Sequence, residues 1–434
     1  MPPDIRFDCS KPATIAMFKR FSFQLQRLKR ELWQRQLPHG LLGWRYLFSG
    51  NDVRIGLHQR LWWHAGERWP RGLWLLVQLW LWLRWVLWLG WRNSWRVVRR
   101  LGPEVQQRHQ ISIARQFART LRLSLGWCIA PFDVYRFGLY LRPQATLDYV
   151  FDHESSSYHA WRSRPLGLKR GSVHCIQDKL ALAEHLRSVG VPVVHTLQHV
   201  KSGSSITLKQ ALGNHGRAFC KMNSGNQGRG AFAVWQSADG LVGESFTGQA
   251  LPDTAAVEAA WRNLLTLDDA LVQPLLTNHP ALAGMVCEGF DAITVRFITE
   301  WHATGLRCLC ATLEVPAGKT TQGHTRYGIL PIVAESGLLQ PFPSRDGQTE
   351  TQRQAMAQLL TLVPANNMVP HWSELSAASF EAQRQFPDVC AIAWDWVITP
   401  DGPLLLEGNI GWGAATPQLC LGGFIGAIFN EAKP

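Results

Sequence analysis

Between residues 73 and 91 the chain reads LWLLVQLWLWLRWVLWLGW, a run in which Gln78 and Arg84 are the polar interruptions. As a helix these positions extend about 28 Å, close to the thickness of a bilayer's hydrocarbon core. Arg71, Gln78, Arg84 and Arg92 recur roughly every seven residues, a spacing that predicts one polar stripe on a helix otherwise apolar and aromatic. From 101 to about 130 the pattern EVQQRHQISIARQFARTLRLSL has helical period, and Pro131 and Pro143 interrupt it. No internal repeat is present.

Beyond about 165 the pattern changes to short strands and helices. Asp178 precedes KLALAEHLRSVG as an N-cap and Gly190 closes that helix, with a strand expected at VPVVHT. Ala218, Phe219 and Cys220 form a short apolar strand, and Ala231 to Trp235 another. DDALVQPLL (268 to 276) is a strand ending at Pro274, and ITVRFITEW, a turn at HATG, and LRCLCATLEV form an antiparallel pair. In that pair Arg296 points away from Ile293, Val295 and Phe297, because successive side chains alternate.

Composition adds a division of charge. The whole chain carries 44 Lys/Arg against 32 Asp/Glu, but residues 1 to 165 hold 26 against 10 and the remainder 18 against 22. The basic surface therefore belongs to the first part. Ten of the 21 tryptophans lie between Trp62 and Trp95. Arg84 near the middle of the apolar run costs about 2.5–3.5 kcal/mol on membrane-insertion scales, and basic residues flank the run on both sides. A helix lying on an anionic leaflet, a buried or oligomeric helix and a span all fit the pattern, the first best. So apolar a strip is unlike the surfaces that bind nucleic acid. The nine cysteines are scattered without CxxC spacing, so neither a zinc site nor a disulfide framework is indicated. Cys308 and Cys310 are expected on one strand face as core filling. The first 21 residues lack the apolar core of a cleavable signal.

The candidate chemistry lies in the second part. In CKMNSGNQGRGAFAVW, Lys221 precedes Gly225, Gly228 and Gly230. A helix-terminus phosphate loop has its lysine after the glycines; this order instead describes a hairpin whose amides fold over a polyphosphate while Lys221 neutralises it. A glycine-rich surface hairpin needs no ligand, so the segment alone does not decide. In AIAWDWVITPDGPLLLEGN, a three-residue loop Pro400-Asp401-Gly402 pairs Thr399 with Pro403, so that paired numbers sum to 802. Asp395 then faces Glu407, with Asn409 two residues along on the same side, whereas a two-residue loop sends the carboxylates to opposite faces. Hairpin carboxylates are usually solvated, but facing carboxylates with an amide oxygen make a hard oxygen set suited to Mg²⁺.

In this order Lys179 in QDK, Lys221 before SGNQGRG, LVQPLL, Arg296 in TVR, then Asp395 and EGN resemble the ATP-grasp superfamily over about 170 to 420. NHPALAGM, ITVRFIT and the terminal hairpin resemble more narrowly the sugar-transfer associated members related to α-L-glutamate ligases. The resemblance implies an α+β, two-lobed ATP-grasp fold at 166–434, with a small antiparallel lobe at about 190–272 and a larger lobe at about 273–430. A helical, basic, Trp-rich region precedes it at 1–165. It implies that Lys179 and Lys221 contact ATP phosphates, that the amides of Ser224, Gly225, Gln227, Gly228 and Gly230 cover them, and that Gln273, Leu275 and Leu276 meet adenine. Arg296 and Lys221 would be catalytic, and Asp395, Glu407 and Asn409 would carry Mg²⁺. Two departures bear on the acceptor: Ile293 stands where an Asn is expected, and TTQGHTRYGILP lacks paired glycines. The function implied is an ADP-forming ligase joining a small-molecule carboxylate to an amine or hydroxyl, and the basic Trp-rich segment adds the expectation of a sugar-linked acceptor at the inner face of the plasma membrane. A hydroxyl kinase on the same fold and a non-enzymatic membrane scaffold are the alternatives.

Overall fold

The computed structural model describes residues 43–47, 52–67, 69–225, 228–286, 292–319, 325–343, 348, 350–364 and 366–431. The chain forms two compact units: Met1–Ser157 with Arg345–Thr349 and Gly423–Pro434, and Tyr158–Ser344 with Glu350–Gly422.

The first unit is helical. Asp52 caps the helix Val53–Gly66 by accepting a hydrogen bond from the Arg54 amide. A continuous helix, Arg71–His109, follows. Trp74, Val77, Leu81, Trp85, Gly90, Ser94 and Val98 are buried along it, three or four residues apart except for the step of five from 85 to 90. That extra residue is absorbed by a π-helical turn at Trp85–Leu89, where the Gly90 N–H reaches the Trp85 carbonyl. The turn keeps the inward stripe in phase through the whole helix. Gln78 is buried within this stripe while Arg71 is exposed, so the four polar positions do not share one face. Their seven-residue spacing drifts against a 3.6-residue turn, and the π-turn adds a further offset. Nor is 101–130 one helix. Gln110 closes the long helix in the left-handed conformation (φ 55°), and Ser112 caps a new helix, Ile113–Trp127.

The core of this unit contains an ion pair. His58 Nδ1 and Glu154 Oε1 are 2.7 Å apart, His58 Nε2 meets the Leu147 carbonyl at 3.2 Å, and Glu154 Oε2 accepts from the Phe151 amide. Burial works against charge on His58, yet Glu154 outweighs it and raises the imidazole above its ordinary value.

The second unit holds two antiparallel sheets. The strands are β1 (Gln198–Val200), β2 (Arg217–Met222), β3 (Phe232–Ser237), β4 (Gly240–Ser245), β5 (Ala250–Leu251), β6 (Ala270–Gln273), β7 (Thr294–His302), β8 (Gly305–Lys319), β9 (Thr325–Ile332), β10 (Ala391–Thr399) and β11 (Gly402–Asn409). The smaller sheet has the order β1-β6-β2-β3-β4-β5, the other β11-β10-β7-β8-β9. Ala218, Cys220 and Met222 of β2 join a core with Trp261 and Leu264 of the helix Thr254–Leu267, which leaves Lys221 on the opposite face. In the second sheet Val295, Phe297, Trp394, Trp396 and Leu405 share a core with Leu182, Leu186, Trp372 and Leu375 from covering helices. The alternate positions of β7, β10 and β11 form the sheet's other face.

Two local expectations are corrected here. VPVVHT makes only a bridge, Val193 to Leu405; Pro192 accepts from the Leu405 amide, and the strand of the smaller sheet starts at Gln198 instead. Cys308 and Cys310 fall on opposite faces, because an irregularity beside Thr299 pairs Cys308 with Thr299 and Cys310 with Ile298.

Candidate active site

The β10–β11 hairpin brings Asp395 and Glu407 together by a route the sequence does not suggest. Thr399 pairs with Gly402, so the loop has two residues, and the pairing runs Ile398–Pro403, Val397–Leu404, Trp396–Leu405. Continued, this register places Leu406 beside Asp395 and turns Glu407 toward the core. The register instead shifts between Asp395 and Trp396, and Asp395 pairs with Glu407. Leu406 is the extra residue of a β-bulge, which restores the face lost by the shorter loop. Gly402 is therefore the first residue of β11, at a positive φ of 130° that favours glycine.

Pairing across the sheet then sets the site. Glu407 faces Asp395, Asp395 faces Arg296, and Arg296 faces Thr312, one row across four strands. Arg296 binds Asp395 through two parallel hydrogen bonds, Nε to Oδ1 at 2.9 Å and Nη2 to Oδ2 at 3.1 Å. Its third nitrogen, Nη1, lies 3.1 Å from Glu314 Oε1. Gly408 separates Glu407 from Asn409 because a Cβ there would come within 2.7 Å of the Trp394 ring. Asn409 shares the row's face, donating Nδ2 to Asp395 Oδ2 at 3.0 Å and to Glu407 Oε1 at 3.2 Å.

Two lysines complete the arrangement. Lys179, the first residue of its helix after the Asp178 cap, has its Nζ 3.5 Å from Glu407 Oε2 and donates to the Gly225 carbonyl. It thus ties the glycine hairpin to the carboxylate row. Asn223 anchors the same junction, its Oδ1 accepting from the Leu180 amide at 3.0 Å and its own amide donating to the Asp269 carbonyl. Burial lowers the Lys221 ammonium to about 8, with Glu407 opposing and Lys179 adding to the shift. Burial lifts Asp395 above the ordinary carboxylate range despite Arg296. Burial also works to raise Glu407, but Lys179 and Lys221 outweigh it and hold that carboxyl below its usual value. Three cations, Lys179, Lys221 and Arg296, and three carboxylates, Asp395, Glu407 and Glu314, face one another, and the field between them is balanced.

The remaining predicted residues take these places. Gly228 and Gly230 have φ of 64° and 71°, a conformation that favours glycine. Ser224 gives both its amide and its hydroxyl to Asp268, at 2.7 and 2.6 Å, so in this conformation Asp268 holds the amide expected to meet phosphate. Gln227 lies outside the described residues. Gln273 is buried and ends β6, a strand paired on both sides by β1 and β2. Gln273 itself pairs with Phe219 of β2, while the β1 pairing stops at Val272, and Leu275 and Leu276 beyond it are half-buried.

Sequence reasoning missed Glu314 and Asp268. Glu314 had a signal: it occupies the polar phase of an apolar strand, between Leu313 and Val315, adjacent to the strand of Arg296. Asp268 had none, since its role depends on where the hairpin starts.

The donor chemistry fits Mg²⁺. Among the described residues no three His, Cys, Asp or Glu side chains group as a metal site by themselves, so the Asn409 amide has to contribute. That amide already meets one oxygen of each carboxylate, and turning it by half a rotation exchanges its nitrogen for oxygen. Both Asp395 oxygens are held by Arg296 in this conformation, so a cation there would share them with the guanidinium.

A model of the sugar-transfer associated ATP-grasp family matches residues 168–427. No curated protein matches the chain. Among solved structures, the D-alanine–D-alanine ligase of Bacillus anthracis is similar at 10% identity over 68% of this chain and 82% of its own, with a TM-score of 0.36. The D-alanine–D-alanine ligase of Coxiella burnetii is 13% identical over 66% of this chain, with a TM-score of 0.30, and a Rhizobium etli pyruvate carboxylase 16% identical over 56%, with a TM-score of 0.33. The chain spans 60% of the Coxiella enzyme and 16% of the carboxylase.

Proposed function

The chain belongs to the sugar-transfer associated ATP-grasp family, and from that premise we propose that it is an ATP-dependent ligase joining a small-molecule carboxylate to an amine or hydroxyl and releasing ADP. The observation that carries this reading is the row Glu407–Asp395–Arg296 facing Lys179 and Lys221. A carboxylate oxygen of the substrate attacks the γ-phosphorus of ATP, the bond to the β–γ bridging oxygen breaks, and ADP leaves. The amine or hydroxyl then attacks the acyl carbon, phosphate departs, and the nucleophile loses its proton. Phosphoryl transfer needs positioning and charge stabilisation rather than a protein nucleophile. Lys179 and Lys221 serve the ATP phosphates, Leu275 and Leu276 offer backbone to adenine, and Arg296 faces the transferred phosphoryl group or the acyl phosphate. Asp395, Glu407 and Asn409 hold Mg²⁺, which when bound offsets phosphate charge. Ser224 is released from Asp268 when its amide turns to phosphate.

The acceptor we favour is a sugar-linked amine or hydroxyl. The test is ADP formation from MgATP across a panel of amino acids, uronic acids and amino sugars, with products identified by mass spectrometry and Glu407→Ala as control. ADP formation that requires both a carboxylate and a nucleophile, and falls at least 1,000-fold in the variant, is expected, on the order of removing a main electrostatic group. A stable phosphorylated hydroxyl product would mean a kinase. Absence of MgATP binding would leave the scaffold reading.

A further inference from the structure

We propose that the helix Arg71–His109 docks flat on an anionic lipid leaflet through its outward face. This inference stands on the helical unit and does not depend on the ligase reading. The helix is long and apolar enough to cross a membrane, but its two sides differ. On the inward side Trp74, Val77, Leu81, Trp85 and Leu89 are buried, and the Trp85 indole donates to the Ser124 carbonyl at 2.8 Å. A lone span has lipid around its whole circumference; here protein occupies one side, and Gln78 is enclosed there.

The outward side is apolar and wet. Leu76 is 67% exposed, Leu87 73%, Trp88 64% and Trp95 52%, with Leu79 and Trp91 between them also exposed. A continuous patch of this kind marks an interaction surface. Its occupant is indicated by the charge beside it. Residues 69 to 103 contain Arg71, Arg84, Arg92, Arg96, Arg99 and Arg100 and no Asp or Glu. Arg96, Arg99 and Arg100 are exposed on the turns that follow the apolar face. A second copy meeting this helix would offer one acid, Glu104, against the cluster, whereas phosphate headgroups would meet every arginine of it. Exposed indoles suit the same boundary, since the ring buries among acyl chains while its N–H meets carbonyls and phosphates. Apolar burial combined with cationic attraction holds such a helix in the plane of the interface.

The test uses the full chain and co-sedimentation with vesicles of phosphatidylcholine, with or without phosphatidylglycerol. The wild type should sediment with the anionic vesicles, less so at high salt, and be released by alkaline carbonate. Leu76→Glu/Leu87→Glu/Trp88→Glu should lower binding at least tenfold. All three side chains are exposed, so circular dichroism should be unchanged. Arg96→Glu/Arg99→Glu/Arg100→Glu should remove the preference for phosphatidylglycerol, each basic residue near an anionic surface contributing about fivefold. Equal sedimentation of wild type and both variants would overturn the proposal. Resistance to carbonate with release only by detergent would establish a span instead. Failure to sediment, with a wild-type dimer that the Leu/Trp variant dissociates, would assign the face to a second copy.

Discussion

The two units use charge in opposite ways. In the helical unit, the Trp-rich segment carries six arginines between residues 69 and 103 without a single acid, and four of them, Arg71, Arg96, Arg99 and Arg100, are exposed. In the sheet unit, Lys179, Lys221 and Arg296 are set against Asp395, Glu407 and Glu314 across strands and lobes. Excess charge of one sign attracts a surface of the other sign and depends on salt. Balanced charge in a partly dry site answers each ion with a neighbour of the other sign and is screened less by salt. Buried histidines reverse the contrast. His58 is paired with a carboxylate and raised. His159, whose Nε2 meets the Trp412 carbonyl at 2.8 Å, is lowered to about 4 by burial.

The sharpest way to break the comparison is Glu407→Lys. A fourth cation then stands where a carboxylate faced Asp395 and Lys179, and the balance of the row is lost. ADP formation should disappear, while vesicle sedimentation by the helical unit should be unchanged. If activity survives, the facing carboxylates are not the site. Next in size is Arg296→Gln, which leaves Asp395 and Glu314 uncompensated. A loss of about 100-fold in ADP formation is expected, with about 2 kcal/mol of stability, between the exposed and buried limits for ion pairs. Activity and chemical denaturation measure the two separately.

The last test lies in pH. His159 binds a proton near 6.5 when unfolded and near 4 when folded, so the unfolded chain holds more protons between those values. Its contribution is complete above about 6.5 and is lost as pH falls toward 4, by about 3 kcal/mol. For His58 the sign reverses. Its folded value is raised, so its contribution is present below about 6.5 and lost as pH rises through the folded value. Glu154, which is lowered, loses its contribution only as pH falls below about 4.5. Denaturant midpoints between pH 4 and 7 should therefore fall with acid for the sheet unit, and His159→Gln should flatten that slope. An unaltered slope would show that other groups dominate acid sensitivity.

Much of this was readable in the chain before folding. The Asp178 cap and the helix it opens, the glycine hairpin between β2 and β3, the alternation that turns Arg296 from Val295 and Phe297, and the apolar run around Trp85 all follow from local propensity and period. Those are short-range constraints, and each residue carries its own share of the signal. The facing of Asp395 and Glu407 also came out as expected, but through a two-residue turn corrected by a bulge at Leu406. A bulge is decided by what packs on both faces of the sheet at once: Trp394, Trp396 and Leu405 require the core side, and the ladder yields one residue to satisfy them. The direction of Gln78, the phase of the long helix, and the meeting of Lys179 and Glu314 with the carboxylate row likewise join positions far apart in sequence. Local patterns determined which residues were apolar, charged or able to turn. The partner of each charge was decided only by tertiary structure, because a side chain's neighbours across strands are set by register and packing, to which no single segment has access.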